Sequence, residues 1–313
     1  MLGFLLRRLG AAAILVFVLT SLTFVLVFSS AQNAARNILG ESASQEQVDA
    51  LNAELGLDQP LPTQYVTWLG KAVTGNLGKS WTTNEQVASA IANRLPVTLS
   101  MVITAITVMT VISVLLGVAA AVYGGWLDRL IQFISVLGFS LPNFWIALIL
   151  VLTFAVSLRW FPATGYVPLT RSVSGWAASL ALPVAALVVG GIASAAQQVR
   201  GAVIDVLEQD YIRTLRARGV SPASILFRHA LRNATPPALT VLSLQFIALL
   251  SGAVIIERVF AIPGMGSLTV DASLSGDTPV IMGIVIVLVL LVSLVNLLID
   301  LANAWVNPKV RLK

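Results

Sequence analysis

Cysteine is absent from the 313 residues. That excludes disulfides, thiolate nucleophiles and thiolate metal sites. Histidine occurs once, as His229, and a metal site or a proton relay needs partners that a lone histidine does not have. Charge is scarce: 11% of residues are Asp, Glu, Lys or Arg, against about 25% in an ordinary soluble domain. What fills the chain instead is apolar, with 57% hydrophobic residues and a mean hydropathy of +0.90. A soluble protein of that composition would precipitate, so the class is an all-α polytopic membrane protein. The first apolar run follows Arg7 and Arg8. It reads as a span and not as a cleaved leader, because residues 9–29 are long enough to cross a bilayer and no small-x-small site closes them.

Six segments are long and apolar enough to span: about 9–29, 97–123, 131–158, 179–199, 238–257 and 280–305. Backbone polar groups must be satisfied internally in lipid, so all six are read as helices of a single transmembrane domain, 1–313. The loops set the orientation. With a cytoplasmic N-terminus, segments 1–8, 124–130, 200–237 and 306–313 hold twelve of the nineteen basic residues, including Lys309, Arg311 and Lys313. The outer segments 30–96, 159–178 and 258–279 hold seven, with most of the acids. The positive-inside rule then places both termini in the cytoplasm.

Segment 30–96 reads as a small external cap. Ser44 with Gln47 three residues on is a capping box, and Gly56 is a helix stop. Val48, Leu51 and Leu55 make one apolar face. Pro60 and Pro62 break the chain, and Tyr65, Trp68 and Leu69 indicate a second short helix at the membrane surface. GNLGKS at 75–80 carries Gly78-Lys79-Ser80 but has Val73 where a phosphate loop needs glycine, so it reads as a turn on Gly75 and Gly78.

The longest polar stretch of the second half lies in 200–237. Asp205 to Ala217 fits a helix with Val206, Leu207, Tyr211 and Leu215 near one side. Gly219 fits the left-handed residue that ends it. Ser221 is a candidate N-cap and Pro222 the first helical residue. Ile225, Leu226, Ala230 and Leu231 would form the apolar side of a second short helix, an exposed ridge set among Arg213, Arg216, Arg218, Arg228 and Arg232. The competing reading is a basic loop lying on lipid headgroups. A defined Gly-x-Ser-Pro turn favours a surface built to meet a soluble partner.

These residues resemble the EAA loop of the membrane subunit of binding-protein-dependent ABC importers, in the form found in B-type permeases of the dipeptide, oligopeptide and nickel group. Asp210, Tyr211, Arg213, Thr214, Arg216, Ala217, Arg218 and Gly219 match, as does the run Arg228–Asn233. Where the general motif has Glu-Ala-Ala this chain has Arg213-Thr214-Leu215, and Arg232 stands where the general motif ends in Pro; both departures fit the peptide class. The likeness extends to FLLRRLG at 4–10, ELGLDQPLPTQY at 54–65, Pro142-Asn143-Phe144-Trp145, FAIPGMG at 260–266 and NPKVRL at 307–312.

The resemblance implies a type I importer permease, without catalytic activity or cofactor of its own, in a bacterial or archaeal cytoplasmic membrane. It implies a second related permease, two ATPase subunits carrying ATP and magnesium, and an external substrate-binding protein; nucleic acid is no partner. Coupling to the ATPase falls to Asp210, Tyr211, Arg213, Arg216, Gly219, Ser221, Pro222, Ile225, Leu226, Arg228 and His229. On the outer side Glu257 is a gate residue or an interface anchor. Phe260, Met265 and the backbone at Pro263-Gly264 either contact the binding protein or pack on the chain's own cap. Peptides are the expected cargo, with nickel, haem or glutathione as alternatives. A stand-alone secondary transporter or channel would need paired ionisable residues at mid-membrane, and the six spans show almost none. Asp300, one turn after Asn296, reads as structural. Pro142, Pro183 and Gly190-Gly191 read as kinks or close helix contacts.

Overall fold

In the computed structural model the described residues are 2–30, 34–40 and 42–306. The tail motif at 307–312, with Lys309, Arg311 and Lys313, lies outside them. Among the described residues the chain is helical: α1 (Leu2–Ser30), α2 (Ala34–Leu39), α3 (Gln45–Leu55), α4 (Leu61–Val73), α5 (Val87–Tyr123), α6 (Gly125–Ser140) and α7 (Asn143–Leu150). A π-helical turn, Val151–Ser157, extends α7. There follow α8 (Val173–Leu207), α9 (Asp210–Ala217), α10 (Pro222–Ser224), α11 (Leu231–Val259), α12 (Met265–Ser275) and α13 (Thr278–Val306).

Five stretches are long and apolar enough to cross a membrane: Leu6–Phe28, Val87–Tyr123, Val173–Leu207, Pro222–Val259 and Thr278–Trp305. The expected span 131–158 is not one helix. It breaks at Leu141 and Pro142, both in extended conformations, and resumes as a shorter apolar helix, Asn143–Ser157. Proline has no N–H to donate and its ring disfavours the helical region for the residue before it, which accounts for both conformations. The fifth span departs the other way. Instead of starting near 238 it runs without a break from Pro222 through a π-helical turn, Ile225–Ala230, into α11. Pro236 and Pro237 sit inside it. They remove two N–H donors, but the face buried through Ala234, Phe246, Leu249, Ala253 and Ile256 keeps the helix whole.

The chain divides into two compact units. The first comprises residues up to Val97 together with Pro263–Leu294. The cap helices form as their sequence signals direct. Ser44 accepts from the N–H of Gln47, the Gln47 side chain accepts from the N–H of Ser44, and Gly56 closes α3 in the left-handed conformation. Val48 is the buried residue of α3. Helix α4 starts with a proline in its first turn and packs on α1 through aromatic rings. Phe24 stacks on Phe28 at 3.9 Å between centroids and meets Tyr65 edge-on at 5.0 Å. The Tyr65 hydroxyl lies 2.7 Å from Ser21 Oγ. Such ring pairs add about 0.5–1.5 kcal/mol each beyond area burial. A second core joins Val87 and Ile91 of α5 to Met265, Ala272, Val280 and Ile284.

The second unit is Thr98–Ile262 with the residues from Val295 onward. Helix α8 is its centre and packs against α6, α7 and α11. Close approach of α5 to α8 depends on glycine. A Cβ on Gly117 would lie 2.6 Å from the Ala196 carbonyl oxygen, and one on Gly191 would lie 2.6 Å from Met109 Sδ. Gly191 thus fills the close-contact role expected of it. Polar threads cross the same interface: Trp176 Nε1 donates to Ser100 Oγ at 2.7 Å, and Ser113 Oγ donates to the Ile192 carbonyl at 3.1 Å.

Candidate docking surface

Helix α8 ends at Leu207, and Gln209 is extended, so α9 starts afresh at Asp210. The continuous helix expected from Asp205 to Ala217 is therefore two helices, and the break lets α9 turn away from the direction of α8. Arg218 closes α9, and Gly219 follows at φ +75°, the left-handed value its sequence context predicts. A Cβ there would meet nothing within 4 Å, so the demand for glycine comes from the backbone and not from crowding. Ser221 Oγ accepts from the N–H of Ser224 and Pro222 opens the next turn, as read from the sequence.

The underside of this hairpin is apolar. Ile212, Ile225 and Ala230 are buried. Leu226 and Leu231 pack half-buried on a core of Val199, Val203 and Ala234. The expected exposed ridge of Ile225, Leu226, Ala230 and Leu231 is thus turned inward. Burial of apolar area holds the hairpin to the end of α8, and the exposed aromatic residues are Tyr211 and Phe227. The Tyr211 hydroxyl accepts from Asn233 Nδ2 at 2.9 Å. This bond ties the two halves of the matched motif together. Arg213 makes a loose 3.4 Å pair with Asp210, with side chains 72% and 96% exposed. Arg216, Arg218, Arg228 and Arg232 are exposed as well, and His229 is half-buried. The chemistry of the surface is a rigid turn presenting guanidinium groups and two aromatic rings.

Beside it, Arg200 near the end of α8 grips Asp128 in the first turn of α6. Arg200 Nη2 donates to Oδ2 at 2.6 Å and Nε approaches Oδ1 at 2.5 Å. The Arg200 hydrogen bond holds the Asp128 carboxyl below its ordinary value of 3.8, against a smaller opposing effect of desolvation. The fork fixes the α5–α6 turn to α8.

Glu257, Phe260 and Met265 are more deeply placed than expected. Glu257 is buried and Thr98 Oγ1 donates to its Oε1 at 2.5 Å. A carboxylate held inside in this way does not anchor an interface. Phe260 and Met265 are each 1% exposed. Met265 belongs to the core with Val87 and Ile91, so for that side chain packing on the chain's own segment 30–96 is what is found. The Phe260 carbonyl accepts from the N–H of Gly165 at 2.8 Å. Neither ring nor thioether is offered to a partner. Pro263 and Gly264 form the turn that starts α12.

Sequence reasoning missed Ile212 and the burial of Asp277, and it matched Asn233 to the motif without foreseeing its partner. Ile212, three residues before Leu215, anchors α9. Asn233 lies 22 residues from its partner Tyr211. Asp277 is 2% exposed in the first unit. Ser80 Oγ and Thr82 Oγ1 donate to its Oδ2 at 2.5 and 2.9 Å, and the Trp81 N–H donates to Oδ1 at 3.2 Å. GDTP at 276–279 carries a helix-start signal, but nothing local indicates a partner 197 residues away.

This arrangement of membrane-length helices with an arginine-faced helical hairpin between two of them has known counterparts. Residues 113–312 match the family described as the binding-protein-dependent transport system inner membrane component, and residues 1–102 match its N-terminal counterpart. The chain belongs to this family. It is 39% identical over 312 residues to a putative peptide transport system permease protein of Brucella abortus, covering 99% of each chain. It is 37% identical to the di/tripeptide transport system permease protein DppB of Pseudomonas aeruginosa, covering 99% of each. It is 36% identical to the glutathione transport system permease protein GsiC of Escherichia coli, covering all of both chains. A chain of the MetNI methionine ABC transporter in an inward-facing conformation superposes with a TM-score of 0.56 at 20% identity, over 69% of this chain and 96% of that one. The protein is a multi-pass inner-membrane permease of the type I ABC importer fold.

Proposed function

We propose that the chain forms half of the translocation path of an ATP-driven importer for small peptides. Its names among relatives favour peptides, and glutathione, itself a tripeptide, fits the same cargo class. In this reading a second related permease completes the path, an external binding protein delivers cargo, and two ATPase subunits carry the ATP, the magnesium and the hydrolysis. The permease contributes no catalytic group. Both termini and the hairpin at 210–230 face the cytoplasm. The observation that carries the reading is the hairpin itself: an apolar base buried on α8, a left-handed glycine at its tip, and an outer surface of arginines with Tyr211 and Phe227. A loop adapted to lipid headgroups has no use for so defined a turn. On the outer side, Met265 serves in the core beneath the surface that the binding protein meets.

The test is Gly219→Val. A β-branched residue does not adopt φ +75° cheaply, so the turn must rearrange. Expected is a subunit that inserts and assembles, with peptide uptake in membrane vesicles uncoupled from ATP hydrolysis; uptake at the unaltered rate sinks the coupling role. In the cysteine-free background, Lys79→Cys should react with an impermeant thiol reagent from outside and Ala223→Cys should not. The reverse pattern overturns the orientation.

A further inference from the structure

A cavity of about 560 Å³ opens beneath the docking hairpin. Its walls include Ala121 and Val122 from the last turn of α5, Leu207 at the end of α8, Val220 from the glycine turn, and the ring of Phe227. One charged side chain lines it, that of Arg216. No carboxylate pairs with Arg216 among the described residues. Two membrane-length helices stop at this cavity, α5 at Tyr123 and α8 at Leu207. Next to it, Tyr123 and Trp126 are 78% and 75% exposed, on either side of the paired glycines 124 and 125, both of positive φ. Exposed Tyr and Trp at the ends of spans settle at headgroup depth. The cavity therefore lies where the hydrocarbon slab ends, with apolar walls and a guanidinium to receive an anion.

We propose that this cavity binds one anionic phospholipid of the inner leaflet. The upper part of an acyl chain would lie against Val122, Leu207 and Phe227, and the phosphate would meet Arg216. Basic pockets between membrane helices on the cytoplasmic side have the chemistry that recognises anionic headgroups. The surrounding arginines, Arg213, Arg218 and Arg228, raise the local concentration of such lipids. A bound lipid would wedge the α5 end against the docking hairpin, so leaflet composition would bear on the coupling surface. The proposal rests on the cytoplasmic placement of the hairpin.

The experiment is native mass spectrometry of the assembled transporter after incubation with phosphatidylglycerol or phosphatidylcholine. The unaltered complex should retain phosphatidylglycerol in preference. Arg216→Gln should lower that retention about fivefold, the effect of one basic group near an anionic surface. Val122→Trp, on α5 and outside the hairpin, projects an indole into the space an acyl chain would take; it should lose the lipid while keeping the ATPase subunits. Arg171→Gln, exposed on the other side, should change nothing. Unaltered retention in both cavity variants overturns the lipid site and leaves the docking reading standing. Lipid held by the isolated permease but expelled when ATPase subunits bind overturns it in favour of a protein occupant. Displacement by millimolar inorganic phosphate overturns it in favour of a small soluble anion. Impermeant-reagent labelling of Ala223→Cys in the same membranes tests the orientation separately.

Discussion

Two polar loops of this molecule are fastened by opposite means. The loop at 76–86 closes on a buried carboxylate. Ser80, Trp81 and Thr82 surround the buried Asp277 carboxylate, and Ser80 Oγ in turn accepts from the Thr83 N–H at 2.9 Å and from Thr83 Oγ1 at 2.8 Å. No cation pairs with Asp277 among the described residues; its donors are all neutral. The hairpin at 210–230 does the reverse. Its apolar residues Ile212, Ile225 and Ala230 are buried, and its charges point outward with one weak pair, Arg213 to Asp210. Exposed pairs of that kind contribute about 0–1 kcal/mol. A loop clasped around a buried carboxylate is a fixture. A loop held by apolar burial keeps its charges available, which suits a surface that must bind, release and bind again.

The largest effect follows from the fixture. Asp277→Ala removes the shared acceptor of four donors: Ser80 Oγ, Thr82 Oγ1 and the N–H groups of Trp81 and Thr82. Loss of four hydrogen bonds to a carboxylate, with the buried Ser80 hydroxyl stranded, should destabilise the first unit by about 3–5 kcal/mol. Limited proteolysis should then cut within 76–86, where the unaltered protein resists. Asp277→Asn keeps one oxygen acceptor and should lose less. Equal resistance to protease in all three proteins would show that the clasp is incidental and would erase the contrast between the loops.

The second effect tests the hairpin's fastening. Ile212→Ala leaves a void under α9 and should cost about 2–4 kcal/mol locally. The arginines remain, so a docking surface that depended on charge alone would still retain ATPase subunits on purification. We expect retention to fall, because the platform and not the net charge presents the surface. Normal retention with faster hydrogen exchange in α9 would show that the charges suffice.

The parts legible in the sequence were those with local causes. Ser44 with Gln47, Gly56, Gly219, and Ser221 with Pro222 each acted within a few residues, and each took the conformation its chemistry dictates. The membrane class followed from composition and the helical hairpin from its glycine and proline punctuation. What escaped was set by tertiary packing. Pro142 was legible as a kink, but whether it bends a helix or ends it depends on the neighbours that satisfy the freed backbone. Pro236 and Pro237 look like a boundary and are carried through by a buried face. Ile225 and Leu226 lie on an apolar side that periodicity identifies without saying what it faces. Asp277 and Glu257 needed partners 197 and 159 residues away, a distance no local pattern reports.

The smallest effect sharpens the contrast through pH. Asp128 is the counterexample to Asp277: a carboxylate stabilised by a cation. Arg200 lowers its pKa below 3.8. A depressed carboxylate pKa means that the folded state favours the ionised form. The resulting stability is fully present above the unfolded value, about 3.9, and is lost as pH falls through the lower folded value. At neutral pH the fork between α6 and α8 is intact; below about pH 4 it begins to weaken. Asp128→Asn should therefore lower the melting temperature slightly at pH 6, and the gap from the unaltered protein should narrow as the pH approaches 3. Hydrogen exchange in the α5–α6 turn at residues 123–126 should rise over the same window in the unaltered protein and stay flat in the variant. A gap that widens on acidification would mean that the carboxylate is better accommodated when protonated, and that Arg200 holds the turn by packing instead of charge.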